Sequence, residues 1–131
     1  TAVMNIAGSS FFDANRCEAA QSVGYIHVHG TLDTVIAYEG GRLATGASYP
    51  GAQAVVDRWR NRNGCSAAAV DRRLDLDQGV LGEETTATTW SDCEGSMDVQ
   101  FWSLNGSPHV PGFNEGFKDE LAAQLLSYVR R

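Results

Sequence analysis

Long apolar runs are missing from this sequence: no stretch approaches the ~20 consecutive apolar residues that a bilayer-spanning helix needs, so no membrane partner is expected. Basic charge is in deficit. Ten Lys and Arg stand against 16 Asp and Glu, a formal net charge of −6, and the sequence pI is near 4.9. Phosphate binding needs a basic face, so a nucleic-acid partner is excluded. Cysteine is sparse and odd in number: Cys17, Cys65 and Cys93 leave one over whichever pair forms, and three unrelated reduced thiols are the alternative. Internal repeats, linkers and low-complexity tracts are absent. Thr1 to Ala7 has no charged-then-apolar leader pattern and reads instead as the inside of a strand, entered without a turn or cap. The expectation is a piece of a longer protein, with its upstream part outside these residues.

What is present suffices for a core. A hydrophobic fraction of 43% in 131 residues is that of a globular chain, of a size for one small domain. After a strand over 2–7 and a turn at Gly8-Ser9-Ser10, a polar connection leads to Tyr25-Ile-His-Val-His29, an apolar run broken at Gly30. This run reads as a buried parallel strand, and it places Asp33 at the ligand-bearing rim of an α/β sheet. Residues 39–49 read as a glycine-containing loop, and Pro50 as the entry to a helix, at a position where its missing N–H costs nothing. In that helix Ala52, Val55, Val56 and Trp59 form the apolar stripe, Asp57, Arg58, Arg60 and Arg62 face water, and Asn63-Gly64 ends it.

Residues 66–82 read as an acidic surface loop. Within it Asp75-Leu-Asp-Gln-Gly79 lacks the further acidic positions of a calcium loop and is taken as solvated. Threonine-rich 84–90 and apolar 99–104 predict a β-hairpin, its second strand apolar on both faces as a covered sheet requires. A loop over 105–114 precedes a final helix from Glu115 to Arg130, striped by Phe117, Leu121, Leu125 and Val129.

The segment His29-Gly-Thr-Leu-Asp-Thr-Val-Ile-Ala-Tyr-Glu-Gly-Gly41 resembles a motif of the secreted serine esterases of the polyhydroxybutyrate depolymerase and feruloyl esterase group, in the α/β-hydrolase superfamily. Three later landmarks follow in the family's order: Asn63-Gly-Cys65 after the helix, Cys93 in the hairpin turn, and His109 in Gly106-Ser-Pro-His-Val-Pro-Gly112. The likeness covers nearly the whole chain but only the C-terminal half of the family's domain. It departs at Ala37, where the family has proline, and after His109, where one residue is missing.

The resemblance implies part of a three-layer α/β-hydrolase sheet, with a β-hairpin and a C-terminal helix. It also implies a Cys65–Cys93 disulfide and so a secreted or periplasmic location. Asp33 is implied as triad acid and His109 as base, in the order that α/β hydrolases use. The substrates implied are polyhydroxyalkanoates, or hydroxycinnamoyl and acetyl esters of polysaccharide, and no cofactor or metal is called for. A carboxylate that fixes the tautomer of an imidazole and stabilises its protonated form is the chemistry a general base needs.

The nucleophile is not here. No Gly-x-Ser-x-Gly elbow occurs, and Gly8-Ser9-Ser10 is the nearest approach. Ser10 precedes Asp33 by 23 positions, too few for the helix and strand that must intervene, since a βαβ unit takes ~30 residues. The expectation is an inactive half domain awaiting its N-terminal part, with a small esterase using Ser10 and a non-catalytic binding or structural module as the alternatives. A site made of His27, His29 and His109 for a metal is set aside, because no carboxylate spacing completes a known pattern.

Overall fold

The computed structural model describes residues 1–16 and 21–129. In chain order it contains β1 (Ala2–Ile6), β2 (Gly24–Gly30), β3 (Gly40–Arg42), β4 (Ser48–Pro50), α1 (Ala52–Arg62), β5 (Val70–Leu74), β6 (Thr85–Trp90), β7 (Val99–Leu104) and α2 (Glu115–Val129). Among the described residues no helix is long and apolar enough to cross a membrane.

All seven residues of β2 are buried, the continuous run that a strand covered on both faces requires. It lies inside a five-stranded mixed sheet of order β1-β2-β7-β6-β5. The first three strands are parallel; β6 and β5 are antiparallel to their neighbours. Alternation sorts its side chains between two cores. Ile26 and Val28 join Trp102, Leu104, Ala87, Phe117 and Tyr128 under α2, while Tyr25 joins Val99, Phe101, Val55 and Val56 under α1. The architecture is thus helix, sheet, helix, with a mixed sheet in the middle.

Several elements differ from the sequence reading. Residues 39–49 are not all loop, because β3 and β4 pair as a small antiparallel ribbon. Pro50 ends β4 rather than opening the helix, and α1 starts at Ala52 behind Gly51 in extended conformation. Arg58 is not simply solvated: its guanidinium donates to the carbonyls of Phe11 and Phe12, at 2.6 and 2.7 Å, and pins the loop after β1. Arg60 lies over the Trp90 ring, 4.3 Å from its centroid. Asn63 does more than stop α1. Fully buried, it donates from Nδ2 to the carbonyls of Val23 and Met97, both at 2.8 Å, and so joins the starts of β2 and β7.

The segment read as a surface loop holds the edge strand β5, whose Asp71, Arg72 and Arg73 are exposed. Arg72 pairs with Glu120 of α2. In α2 the inward stripe is Phe117, Leu121 and Tyr128, with Leu125 exposed; the Tyr128 hydroxyl donates to the Asp98 carbonyl at 3.2 Å. Asn114 caps this helix through the Phe117 N–H at 3.1 Å. At the opposite edge of the sheet β1 pairs, among the described residues, with β2 alone, and Val3 and Ile6 are exposed.

Candidate active site

Gly30 and Leu104 are register partners at the ends of β2 and β7, so the loops that follow leave side by side from one rim. They are laced together. The Thr31 N–H donates to the Leu104 carbonyl at 2.9 Å, the Leu32 N–H to that of Ser107 at 3.0 Å, and the Gly106 N–H to Thr31 Oγ1 at 2.9 Å. Gly30 makes the approach possible. A Cβ there would lie 2.3 Å from the Ser107 carbonyl oxygen and 2.5 Å from that of Pro108, both backbone atoms.

Asp33 and His109, expected as partners, meet at this rim. His109 Nδ1 donates to Asp33 Oδ2 at 2.8 Å across 76 residues of sequence. The Asp33 side chain is fully buried. Its Oδ1 accepts the N–H groups of Val35 and Ile36 at 2.8 and 2.9 Å. Burial alone would raise its pKa, but the His109 hydrogen bond and those two N–H groups outweigh it and hold the carboxyl below its ordinary value. The carboxylate therefore keeps the His109 proton on Nδ1 and leaves Nε2 of the neutral ring as an acceptor. The His109 side chain is 32% exposed, and Nε2 has no hydrogen-bond partner among the described residues.

One brace was missed in the sequence. Asp77, read as part of a solvated loop, is 1% exposed and holds the histidine loop from beneath. It accepts Ser107 Oγ at 2.6 Å and the N–H groups of Gly79 and Gly112, both at 2.9 Å. An aspartate two residues before a glycine is the local signature of such a turn. Its distant partners leave no trace in that spacing.

Ser10 is engaged elsewhere: its hydroxyl accepts from Arg58 at 3.1 Å and donates to the Phe11 carbonyl at 3.4 Å, with no bond to His109. The three histidines run in a line rather than converging. His27 bonds His29 at 3.2 Å, and His29 Nε2 lies 3.1 Å from Asp33 Oδ2, which separates it from His109. No group of three His, Cys, Asp or Glu suited to a metal ion occurs among the described residues. Cys65 and Cys93 form a disulfide that closes a separation of 28 residues, while Cys17 lies outside the described residues.

The surroundings are apolar. Leu32, Val35 and Val110 are exposed on the two loops, and a cleft of about 480 Å³ beside the Asp33 loop is lined by Ile36, Phe11, Leu43 and Tyr49 among others. Compared with known protein families, with curated proteins and with solved structures, the chain matches none.

Proposed function

We propose that this chain is the C-terminal part of a secreted or periplasmic serine carboxylic-ester hydrolase of the α/β-hydrolase type, with Asp33 as triad acid and His109 as base. The observation that carries the reading is the 2.8 Å hydrogen bond from His109 Nδ1 to a buried carboxylate, at the ends of two adjacent parallel strands. It leaves Nε2 without a partner among the described residues, its lone pair available to an alcohol. The base takes the proton of a serine hydroxyl as that oxygen attacks the ester carbonyl. It then returns the proton to the departing alcohol, and the acyl-enzyme is hydrolysed by water in the same two steps. Asp33 keeps the ring oriented throughout and stabilises the imidazolium formed in each half.

The serine and both oxyanion-hole N–H groups come, in this reading, from polypeptide outside these 131 residues. The single partner of β1 supports that division, since the neighbouring strand of a larger sheet has an edge on which to pair. The disulfide supports an oxidising compartment. An ester with an apolar or aromatic acyl part suits the exposed Leu32, Val35 and Val110 and the cleft beside Ile36. Polyhydroxyalkanoates and hydroxycinnamoyl or acetyl polysaccharide esters are the substrates the resemblance proposes. Engagement of Ser10 by Arg58 disfavours a small esterase built on that hydroxyl.

The experiment is ester turnover by two proteins, residues 1–131 alone and the chain extended through the preceding coding sequence. Residues 1–131 should not hydrolyse a nitrophenyl ester. The extended chain should, and His109→Ala should lower its rate by about 10³-fold or more. An extension without a Gly-x-Ser-x-Gly segment, or turnover indifferent to His109→Ala, removes the reading.

A further inference from the structure

Behind Asp33, on the α1 side of the sheet, lies a buried file of polar side chains that catalysis as described does not use. Asn5 Nδ2 donates to Tyr25 Oη at 3.2 Å, Tyr25 Oη meets His27 Nδ1 at 3.0 Å, and His27 Nε2 meets His29 Nδ1 at 3.2 Å. His29 Nε2 then lies 2.8 Å from the Ile36 carbonyl and 3.1 Å from Asp33 Oδ2. His27 and His29 are 0% and 1% exposed, so water does not compete for these partners.

With both rings neutral, the direction of every bond follows from the last two oxygens. Neither can donate, so a bare Nε2 on His29 would set a lone pair against a carbonyl and a carboxylate together; the proton must be on Nε2. In the neutral ring Nδ1 is then an acceptor, so the His27 proton is on Nε2 and His27 Nδ1 accepts the Tyr25 hydroxyl. Tyr25 Oη in turn accepts from Asn5. Each member of the file has one role, and the protons all point toward Asp33.

We propose that His29 is a positioning residue for Asp33 and that Tyr25 and His27 act through it, the file locking His29 in the tautomer whose Nε2–H bonds the Ile36 carbonyl and lies against Asp33 Oδ2. The importance of this arrangement to catalysis rests on the Asp33–His109 pair being the acid and base described above. An ionised carboxylate has about four acceptor sites. Here Oδ1 receives Val35 and Ile36, while Oδ2 lies between His109 and His29. The opposite tautomer of His29 would push Oδ2 away by lone-pair repulsion and loosen its grip on His109. Burial pushes the His27 pKa down to about 3, so this ring stays neutral and its Nδ1 can accept the Tyr25 hydroxyl.

Histidine ¹⁵N spectra of residues 1–131 near neutral pH test this without any ester. His27 and His29 should both appear as neutral rings protonated on Nε2, with a low-field proton on His109 Nδ1. Either ring protonated on Nδ1 overturns the proposal. Tyr25→Phe keeps a ring to stack on Trp59, 4.5 Å away, but removes the hydroxyl. It should convert His27 and His29 to mixed tautomers, and unchanged spectra overturn the coupling. His29→Gln, which keeps an N–H near Nε2, should preserve the His109 Nδ1 resonance, and His29→Leu should lose it. Loss with both, or with neither, in folded variants defeats the positioning role. Should His29→Leu not fold, the parent spectrum and Tyr25→Phe still decide. The outcome is independent of ester turnover: expected tautomers support the file even where the extended chain proves inactive.

Discussion

His27 is a base that folding prevents from titrating in its usual range. Burial first, and repulsion from His29 second, lower its pKa from 6.5 to about 3. The unfolded chain therefore gains a proton below pH 6.5 that the folded chain refuses, and stability falls as pH falls across that window. The contribution is about 1.4 kcal/mol per pH unit for one such proton. His27→Gln should flatten the dependence by about that slope between pH 6 and 4, read from urea unfolding at several pH values. Asp33 adds a second, more acidic loss. Its folded carboxyl lies below the ordinary value, so its contribution is complete above that value and disappears as pH falls through the folded pKa. Asp33→Asn should remove that lower limb and leave the upper one in place.

The elements explain why these residues can meet at all. Two parallel strands end in register at Gly30 and Leu104, and their exit loops approach so closely that a methyl group cannot be inserted. Gly30→Ala should destabilise the protein by about 1–3 kcal/mol, the usual cost of overpacking, and separate His109 from Asp33. Unfolding midpoints would report the first effect, and loss of the His109 Nδ1 proton resonance the second. Both strands were legible in sequence, because burial on two faces leaves apolar side chains on both alternations, even with His27, His29 and Gln100 among them. The α1 stripe was equally plain at Ala52, Val55 and Val56. By contrast β5 was invisible: Val-Asp-Arg-Arg-Leu is an edge strand with exposed side chains, and without a buried face there is no alternation to read. Tyr128 is on the inward stripe of α2 and Leu125 is not, and the Tyr128 bond to the Asp98 carbonyl is one that periodicity does not encode. That Asp33 and His109 belong together was read from resemblance and local pattern; Asp77 and the line of Tyr25, His27 and His29 were not. Their meaning depends on partners that only the folded sheet supplies.

For the molecule as a whole, the disulfide is the one covalent tie beyond the backbone among the described residues. It packs with Trp90 and the α1-side core and joins the end of α1 to the β6–β7 hairpin. In the chain-entropy picture a closed loop of 28 residues is worth about 3–4 kcal/mol. Replacing Cys65 and Cys93 together with alanine should therefore lower Tm by roughly 10 °C for a domain of this size, measured by calorimetry. The outer strands differ sharply in what they offer a newcomer. Any backbone that approached β5 would meet an aspartate and two arginines, whereas Ala2, Val3, Met4 and Ile6 bring no ionised group to the other margin. Accretion of further strands thus has a compass bearing: the uncharged margin at β1 favours it over the charged margin at β5.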